Sequence, residues 1–135
     1  GRLCVGGADP RVVDPVSGGT VHPLGGQWGG VVAAAWSPDG TRLATAGADA
    51  TLLVWDTRSW EVERVIEGAG GRALAFSPDG GRLVSASWDG AVVAEVSTGE
   101  VVDRLAFAGL LSGLAWSERG IALVDRTGNL ALWAP

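Results

Sequence analysis

Short apolar runs separated by glycine-rich turns recur along the whole chain. Residues 31–36 are continuously apolar, which is typical of a strand buried on both faces. Residues 61–66 alternate polar and apolar positions, which is typical of a half-exposed strand. Residues 42–46 and 51–55 predict two strands between them, so residues 27–68 predict one unit of four antiparallel strands. No segment keeps a helical periodicity over three turns, and we expect almost no helix.

The turns between these strands repeat in sequence. Residues 37–40, Ser-Pro-Asp-Gly, return 40 positions later as residues 77–80. Proline at the second position and glycine at the fourth predict a type I β-turn. Residues 116–120 keep the ends of a third copy, and residues 2–9 fit the same frame as residues 42–49. A period of this length indicates an array of units that bury their apolar faces against one another.

These residues resemble WD40-repeat β-propellers. The resemblance rests on the two Ser-Pro-Asp-Gly turns, on the turns at residues 46–49 and 87–90, and on Val54-Trp55-Asp56 at the end of a predicted third strand. It implies an all-β propeller arc built from four-stranded antiparallel blades. The predicted units are a partial blade at 1–26 (strands two to four), complete blades at 27–68 and 69–108, and a partial blade at 109–135 (strands one to three).

The partial blades at the two ends do not complete one another in the usual way, because joining them leaves surplus strands. We therefore expect an open arc of about half a ring whose end faces need further blades. A segment of a longer chain is expected in preference to a self-assembling half-propeller. Since residue 1 is Gly, an upstream domain or a removed signal peptide stays open.

The family also implies a hydrogen-bonded network that joins a histidine, a second-strand Ser or Thr, a turn Asp and a third-strand Trp. The matching positions in this sequence are Thr45, Asp49 and Trp55 in one unit, and Ser85 and Asp89 in the next. The single histidine, His22, lies outside the required position, and a solvated strand residue is expected there. The resemblance therefore implies a partial network and looser blades.

Candidate catalytic and ligand-binding chemistry is weak. Nucleophilic catalysis needs a base beside the nucleophile, and no triad can be assembled around His22. The turn aspartates are expected to accept backbone N–H bonds and not to bind metal. Residues 68–73 match a loose dinucleotide-binding pattern, but they precede a predicted strand where that motif requires a helix. We expect no enzyme activity, no cofactor and no metal.

The composition of the chain argues against some classes of binding partner. Ten arginines, no lysine and fifteen acidic residues give a net charge of −5, which argues against binding to nucleic acid. No apolar segment approaches the ~18 residues that cross a bilayer, so no membrane partner is expected. The lone Cys4 forms no intramolecular disulfide and is expected to be a buried small hydrophobe. A cytoplasmic location is expected, and the arginine, alanine and glycine bias indicates a GC-rich bacterial genome.

Tryptophans outside the strands, together with arginines, are the best candidates for a binding surface. In a propeller the loops from fourth to first strands and from second to third strands share one face. We predict a partner-binding patch of Trp28, Arg72 and Trp88 on that face. Trp60 is expected on the opposite face, either as an interface anchor or as a cover for a neighbouring blade.

The resemblance implies a non-catalytic scaffold for protein–protein interaction within a larger bacterial signalling protein, with a protein as partner. The alternative is the propeller segment of an enzyme, quinoprotein-like or gating a peptidase, whose active site lies outside or is absent from this chain. A Gly-x-Ser-x-Gly motif or a quinone-site motif in flanking sequence would favour the alternative.

Overall fold

The chain folds as strands only. The computed structural model describes residues 2–6, 10–25, 29–87, 90–106 and 111–134. Within these residues there are fourteen strands and no helix, which confirms the predicted all-β fold. Accordingly, in this part of the chain no helix is long and apolar enough to cross a membrane.

The strands form four separate sheets, called blades 1 to 4 below. Blade 1 contains β1 (Leu3–Val5), β2 (Arg11–Val13) and β3 (Thr20–Pro23). Blade 2 contains β4 (Val31–Trp36), β5 (Arg42–Gly47), β6 (Thr51–Asp56) and β7 (Val62–Glu67). Blade 3 contains β8 (Ala73–Phe76), β9 (Arg82–Ala86), β10 (Gly90–Glu95) and β11 (Val101–Ala106). Blade 4 contains β12 (Leu111–Ser117), β13 (Gly120–Asp125) and β14 (Leu130–Trp133).

Each blade is an antiparallel meander whose strands pair in chain order. The innermost strands β4, β8 and β12 lie next to one another in that order. Such neighbouring first strands are the arrangement of blades set radially about one axis. The described sheets do not close into a ring, as expected from the sequence.

The hairpin turn between the first and second strands is built alike in blades 2 and 3. In blade 2 the Ser37 hydroxyl donates to Asp39 Oδ1 at 2.7 Å and accepts the Arg42 N–H at 2.9 Å. The Gly40 N–H donates to the Ser37 carbonyl at 3.0 Å, and Gly40 has φ +74°. Residues 77–82 repeat these bonds, with 2.6 Å, 3.0 Å and 2.9 Å for the three distances. The repeated sequence therefore produces a repeated β-turn.

The hydrophobic core lies in layers between blades. In blades 2 and 3 the rear face packs on the preceding blade and the front face packs on the following one. The rear face of blade 2 carries large side chains, including Leu43 and Trp55, which pack on Val12 of blade 1. Its front face carries smaller ones, including Ala44, which packs against Phe76 of blade 3. Other layers join blade 2 to blade 3 and blade 3 to blade 4. Each blade is thus stabilised by its neighbours.

Trp60 covers the layer between blades 1 and 2. Its ring stacks on His22 with centroids 5.3 Å apart, and it meets Trp36 edge-on at 6.4 Å. His22 is half-buried, and its Nδ1 atom is fully buried with no partner among the described residues. The expectation of a solvated His22 was therefore wrong, because the indole of Trp60 packs over the imidazole. Of the two roles predicted for Trp60, the contacts favour that of a cover.

Cys4 borders the same layer and is half-buried. Burial raises the pKa of its thiol, because the thiolate loses solvation.

Candidate functional site

The loop that connects β7 to β8 is held tightly between blades 2 and 3. The Gly70 N–H donates to the Ala50 carbonyl at 2.9 Å, and the Arg72 N–H donates to the Ala86 carbonyl at 2.8 Å. A Cβ on Gly70 would lie 2.5 Å from the carbonyl carbon of Ala50, and one on Gly71 would lie 2.3 Å from the Ala86 oxygen. Only glycine permits this approach of backbones. The loop leads into the strand β8 and not into a helix. Residues 68–73 therefore do not form a dinucleotide-binding motif, as predicted.

Two adjoining cavities open on either side of this loop. The first, of about 300 Å³, lies towards blade 3 and is lined by Ser85 and Arg104. The second, of about 430 Å³, lies towards blade 2 and is lined by Ala48 and Arg72. They share Gly68, Gly70 and Ser87 in their walls. We call the two cavities together the interblade cleft.

The wall of the cleft contains the buried hydroxyl group of Ser85. Ser85 is 3% exposed, and within the described residues its Oγ atom has no hydrogen-bond partner. The equivalent atom in blade 2, Thr45 Oγ1, accepts a 3.0 Å bond from Trp55 Nε1. Strand register explains the difference. Trp55 stands opposite Leu43 in blade 2, whereas Ala94 stands opposite Leu83 in blade 3. Ala94 cannot supply the missing N–H.

The structure shows only part of the hydrogen-bonded network that the family resemblance implies. Thr45 and Trp55 meet through the buried bond just described. The Asp49 carboxylate accepts bonds from the N–H and hydroxyl groups of Thr51 at 3.1 and 2.6 Å. Asp89 lies outside the described residues. The complete network therefore stays a prediction in both blades.

Of the predicted binding patch, the structure describes one member. Arg72 is exposed and lines the cleft. Trp28 and Trp88 lie outside the described residues, so the patch itself stays a prediction. Trp88 follows Ser87 of the cleft wall directly in sequence.

Arg104 is a cleft residue that the sequence analysis missed. It is exposed on the outer strand β11, opposite Val92, which in turn stands opposite Ser85. All three therefore share one face of blade 3. The alternation of polar and apolar residues in β11 was the available signal, but its register against β9 was needed to place Arg104 beside Ser85.

The cleft presents hydrogen-bond donors. Two guanidinium groups, from Arg72 and Arg104, flank a loop whose walls carry the hydroxyls of Ser85 and Ser87. Guanidinium and hydroxyl groups together suit carboxylate and peptide carbonyl oxygens. Among the described residues, no three His, Cys, Asp or Glu side chains are grouped as metal ligands.

Several turn carboxylates are structural acceptors. The Thr41 N–H, followed by the hydroxyls of Ser37 and Thr41, lowers the pKa of Asp39 to about 2. Hydrogen bonds from the side chains of Thr127 and Asn129 lower the pKa of Asp125 to about 2. These groups are ionised at neutral pH and occupied within their own turns.

Radially arranged, four-stranded antiparallel blades define a β-propeller arc. The family model described as "WD domain, G-beta repeat" matches residues 18–56 and 60–93, more than half of the chain. The chain therefore belongs to the WD40-repeat family, as its turns predicted. No curated protein matches it significantly.

The two matched ranges do not coincide with blades. The first contains β3 to β6, and the second contains β7 to β9 and most of β10. Each range therefore begins with the outer strand of one blade and continues into the three inner strands of the next. Strands β11 to β14 continue the same order. Each repeat is therefore shared between neighbouring blades, which connects them covalently as well as by packing.

Proposed function

We propose that this protein is a non-catalytic protein-interaction module that binds a partner polypeptide at the interblade cleft. WD40 repeats generally mediate protein–protein interaction, and domains built from them are typically non-catalytic scaffolds. The observation that carries the proposal is a cleft between two blades that is flanked by the exposed guanidinium groups of Arg72 and Arg104. Guanidinium groups bind carboxylate oxygens through charge-assisted hydrogen bonds.

The chemistry of the cleft favours an extended peptide segment with a carboxylate side chain. The guanidinium groups supply positive charge and hydrogen bonds to a carboxylate. The glycine loop between the cavities is hydrogen-bonded to both blades, so the backbone of the cleft needs little ordering on binding. The net charge of −5 makes this a local basic feature on an acidic protein.

A wider role follows from the same proposal. The arginine-only basic composition supports a bacterial source, and a scaffold segment of a larger bacterial signalling protein is the context that we propose. The location that we propose is the cytoplasm.

Peptides selected from a displayed library of random sequences test the proposal. Binders enriched in Asp and Glu are expected, and fluorescence anisotropy gives their affinity for the purified chain. Arg104→Gln and Arg72→Gln should each weaken binding by about tenfold or more, equivalent to roughly 1.4 kcal/mol. Trp88→Ala should weaken binding without lowering the free energy of unfolding.

Arg58→Gln is the matched control. Arg58 is equally exposed but belongs to the turn between β6 and β7, at the opposite end of blade 2. Its removal changes the net charge by the same amount and should leave affinity unchanged. Failure to select any peptide, or an equal loss in all three arginine variants, would contradict binding at the cleft.

A further inference from the structure

The two cavities of the interblade cleft differ in the exposed side chains that line them. The cavity towards blade 3 is lined by Arg104. The cavity towards blade 2 is lined by Arg72 and also by three exposed apolar residues, Val32, Ala48 and Ala50. Val32 is 49% exposed, and solvated aliphatic groups in a concave wall favour an apolar ligand group. The cleft therefore offers an apolar surface as well as positive charge.

A β-bulge places Val32 in the wall of the cleft. In the pairing of β4 with β5, Val31 stands opposite Gly47 and Ala33 stands opposite Ala46, so Val32 is the extra residue between them. Val31 is buried and Val32 is exposed. Bulges redirect a side chain out of the regular alternation of a strand, and they are common beside functional sites. The backbone of β4 thus directs Val32 to the cleft and not to the layer between blades.

The same position carries a different residue in each of the next two blades. In blade 3, β8 pairs with β9 as β4 pairs with β5, and Arg72 takes the place of Val32. In blade 4 the extra residue of the bulge is Ser112. Because β4, β8 and β12 are neighbours, these three positions follow one another from blade to blade. Their chemistry changes from apolar to cationic between blades 2 and 3, which gives the cleft a direction.

The cavity towards blade 3 is suited to the acidic group of a ligand. Arg104 is exposed, and the other described residues that line this cavity include no acidic side chain. A carboxylate that enters this cavity therefore meets a guanidinium group without competition from the lining residues. The aliphatic side chains in the same wall, Val92 and Leu105, are more buried than Val32. An apolar ligand group is consequently better accommodated on the other side of the glycine loop.

We propose that the partner segment carries a large apolar side chain two positions away from its acidic residue. In an extended chain, residues i and i+2 point to the same side and lie about 7 Å apart. One of them can therefore enter each cavity while the peptide backbone crosses the glycine loop. The acidic side chain binds Arg104, and the apolar side chain packs on Val32 and the two alanines. This specificity rests on the proposed function, because it defines the ligand of the same cleft.

The sequences selected from the displayed peptide library give the first test. Peptides that bind the whole 135-residue chain should carry Leu, Ile, Val, Met or Phe two positions before or after an Asp or Glu. A synthetic, fluorescein-labelled binder with this pattern is then compared with a version in which alanine replaces the apolar residue. Fluorescence anisotropy should show about tenfold weaker binding of the alanine version, because less apolar surface is buried.

Val32→Ser tests the apolar wall of the cleft, since serine is the residue that blade 4 has at the equivalent position. It should weaken binding of the peptide with the apolar residue by about fivefold and leave binding of the alanine version unchanged. Val62→Ser is the matched control, because Val62 is 42% exposed and begins β7 at the opposite end of blade 2. It should bind both peptides as the wild type does. Circular dichroism verifies that both variants keep their strands.

The possible results separate this specificity from the proposed function. Acidic peptides that bind through Arg104 without any preference for an apolar residue overturn the specificity and leave the proposed function in place. The same conclusion follows if Val32→Ser binds both peptides as the wild type does, or if Val62→Ser shows an equal loss. A chain that binds no acidic peptide, or whose binding is insensitive to Arg104→Gln, overturns the proposed function and the specificity together.

Discussion

Single side chains determine whether the buried polar groups of a blade have hydrogen-bond partners. Thr45 and Ser85 occupy equivalent buried positions, yet one hydroxyl accepts the Trp55 indole N–H and the other has no described partner. The cause is the exchange of Trp55 for Ala94 one strand away. A polar group in a core is stabilising only when its partner is present.

Thr45→Val should therefore destabilise the protein, because it keeps the side-chain shape but leaves the Trp55 N–H buried without its acceptor. We expect the free energy of unfolding to fall by about 1–3 kcal/mol. Urea unfolding followed by tryptophan fluorescence measures the change.

Ser85→Ala is the matched comparison, since it removes a hydroxyl that has no hydrogen-bond partner in the part of the chain that the structure describes. Its free energy of unfolding should stay unchanged or rise by up to about 1 kcal/mol. A loss as large as that of Thr45→Val would show that the Ser85 hydroxyl contributes a bond in solution.

The hairpins depend on backbone conformations that their turn sequences make accessible. In blade 2 Asp39 accepts bonds from Ser37 and Thr41 while Gly40 takes a left-handed conformation, and residues 77–81 do the same in blade 3. The turn thus forms from local sequence alone. It sets the register of the two inner strands, which in turn decides which side chains enter each layer.

Gly40→Ala should lower the free energy of unfolding by about 1–2 kcal/mol, because an L-residue at φ +74° is strained. No atom lies within 4 Å of the added methyl group, so the loss reports backbone strain alone. Thermal unfolding by circular dichroism gives the measurement.

Gly25→Ala serves as its control. The added methyl group also meets nothing within 4 Å, and Gly25 is not among the positive-φ residues. Its unfolding should match the wild type. Equal losses in both variants would contradict an origin in the left-handed conformation.

The molecule as a whole is held by contacts between neighbours rather than by one central core. Each described layer joins adjacent blades only. Ionised turn aspartates recur from blade to blade, and hydrogen bonds lower the pKa of Asp39, Asp56, Asp79 and Asp125. Loss of these charges therefore affects the whole arc.

Acid should weaken the fold. The pKa of Asp39 and of Asp125 falls from 3.8 to about 2 on folding, so their stabilisation is complete above pH 3.8. It is lost progressively as the pH falls through that value towards about 2, since the unfolded chain then binds more protons than the folded chain. Urea midpoints measured from pH 7 to pH 2 should show this decline.

Asp125→Asn should unfold at lower urea than the wild type at pH 7, and the difference should shrink as the pH approaches 2. Glu100→Gln makes the same change of charge at an exposed position and should keep the wild-type profile. An Asp125→Asn profile parallel to that of the wild type at every pH would refute the contribution of this carboxylate.

The repeated sequence motifs predict the strands and turns of the blades without any structural information. The Ser-Pro-Asp-Gly turns, the apolar runs and the alternating outer strands are local patterns, and local sterics and burial convert each into a turn or a strand. The resemblance to the WD40 family also implied Thr45 and Trp55 as partners, and the two are hydrogen-bonded. These inferences held because every element in them is specified by residues close together in the chain.

The composition of the cleft and the contacts between blades depend on tertiary packing. Arg104 reaches the cleft through its register opposite Val92. Ser85 has no hydrogen-bond partner among the described residues, because Ala94 stands where blade 2 has a tryptophan. The stacking of His22 on Trp60 joins two blades, and no local pattern indicated it. Sequence periodicity specifies which residues point together within a blade, whereas contacts between blades depend on how separate sheets are placed in space.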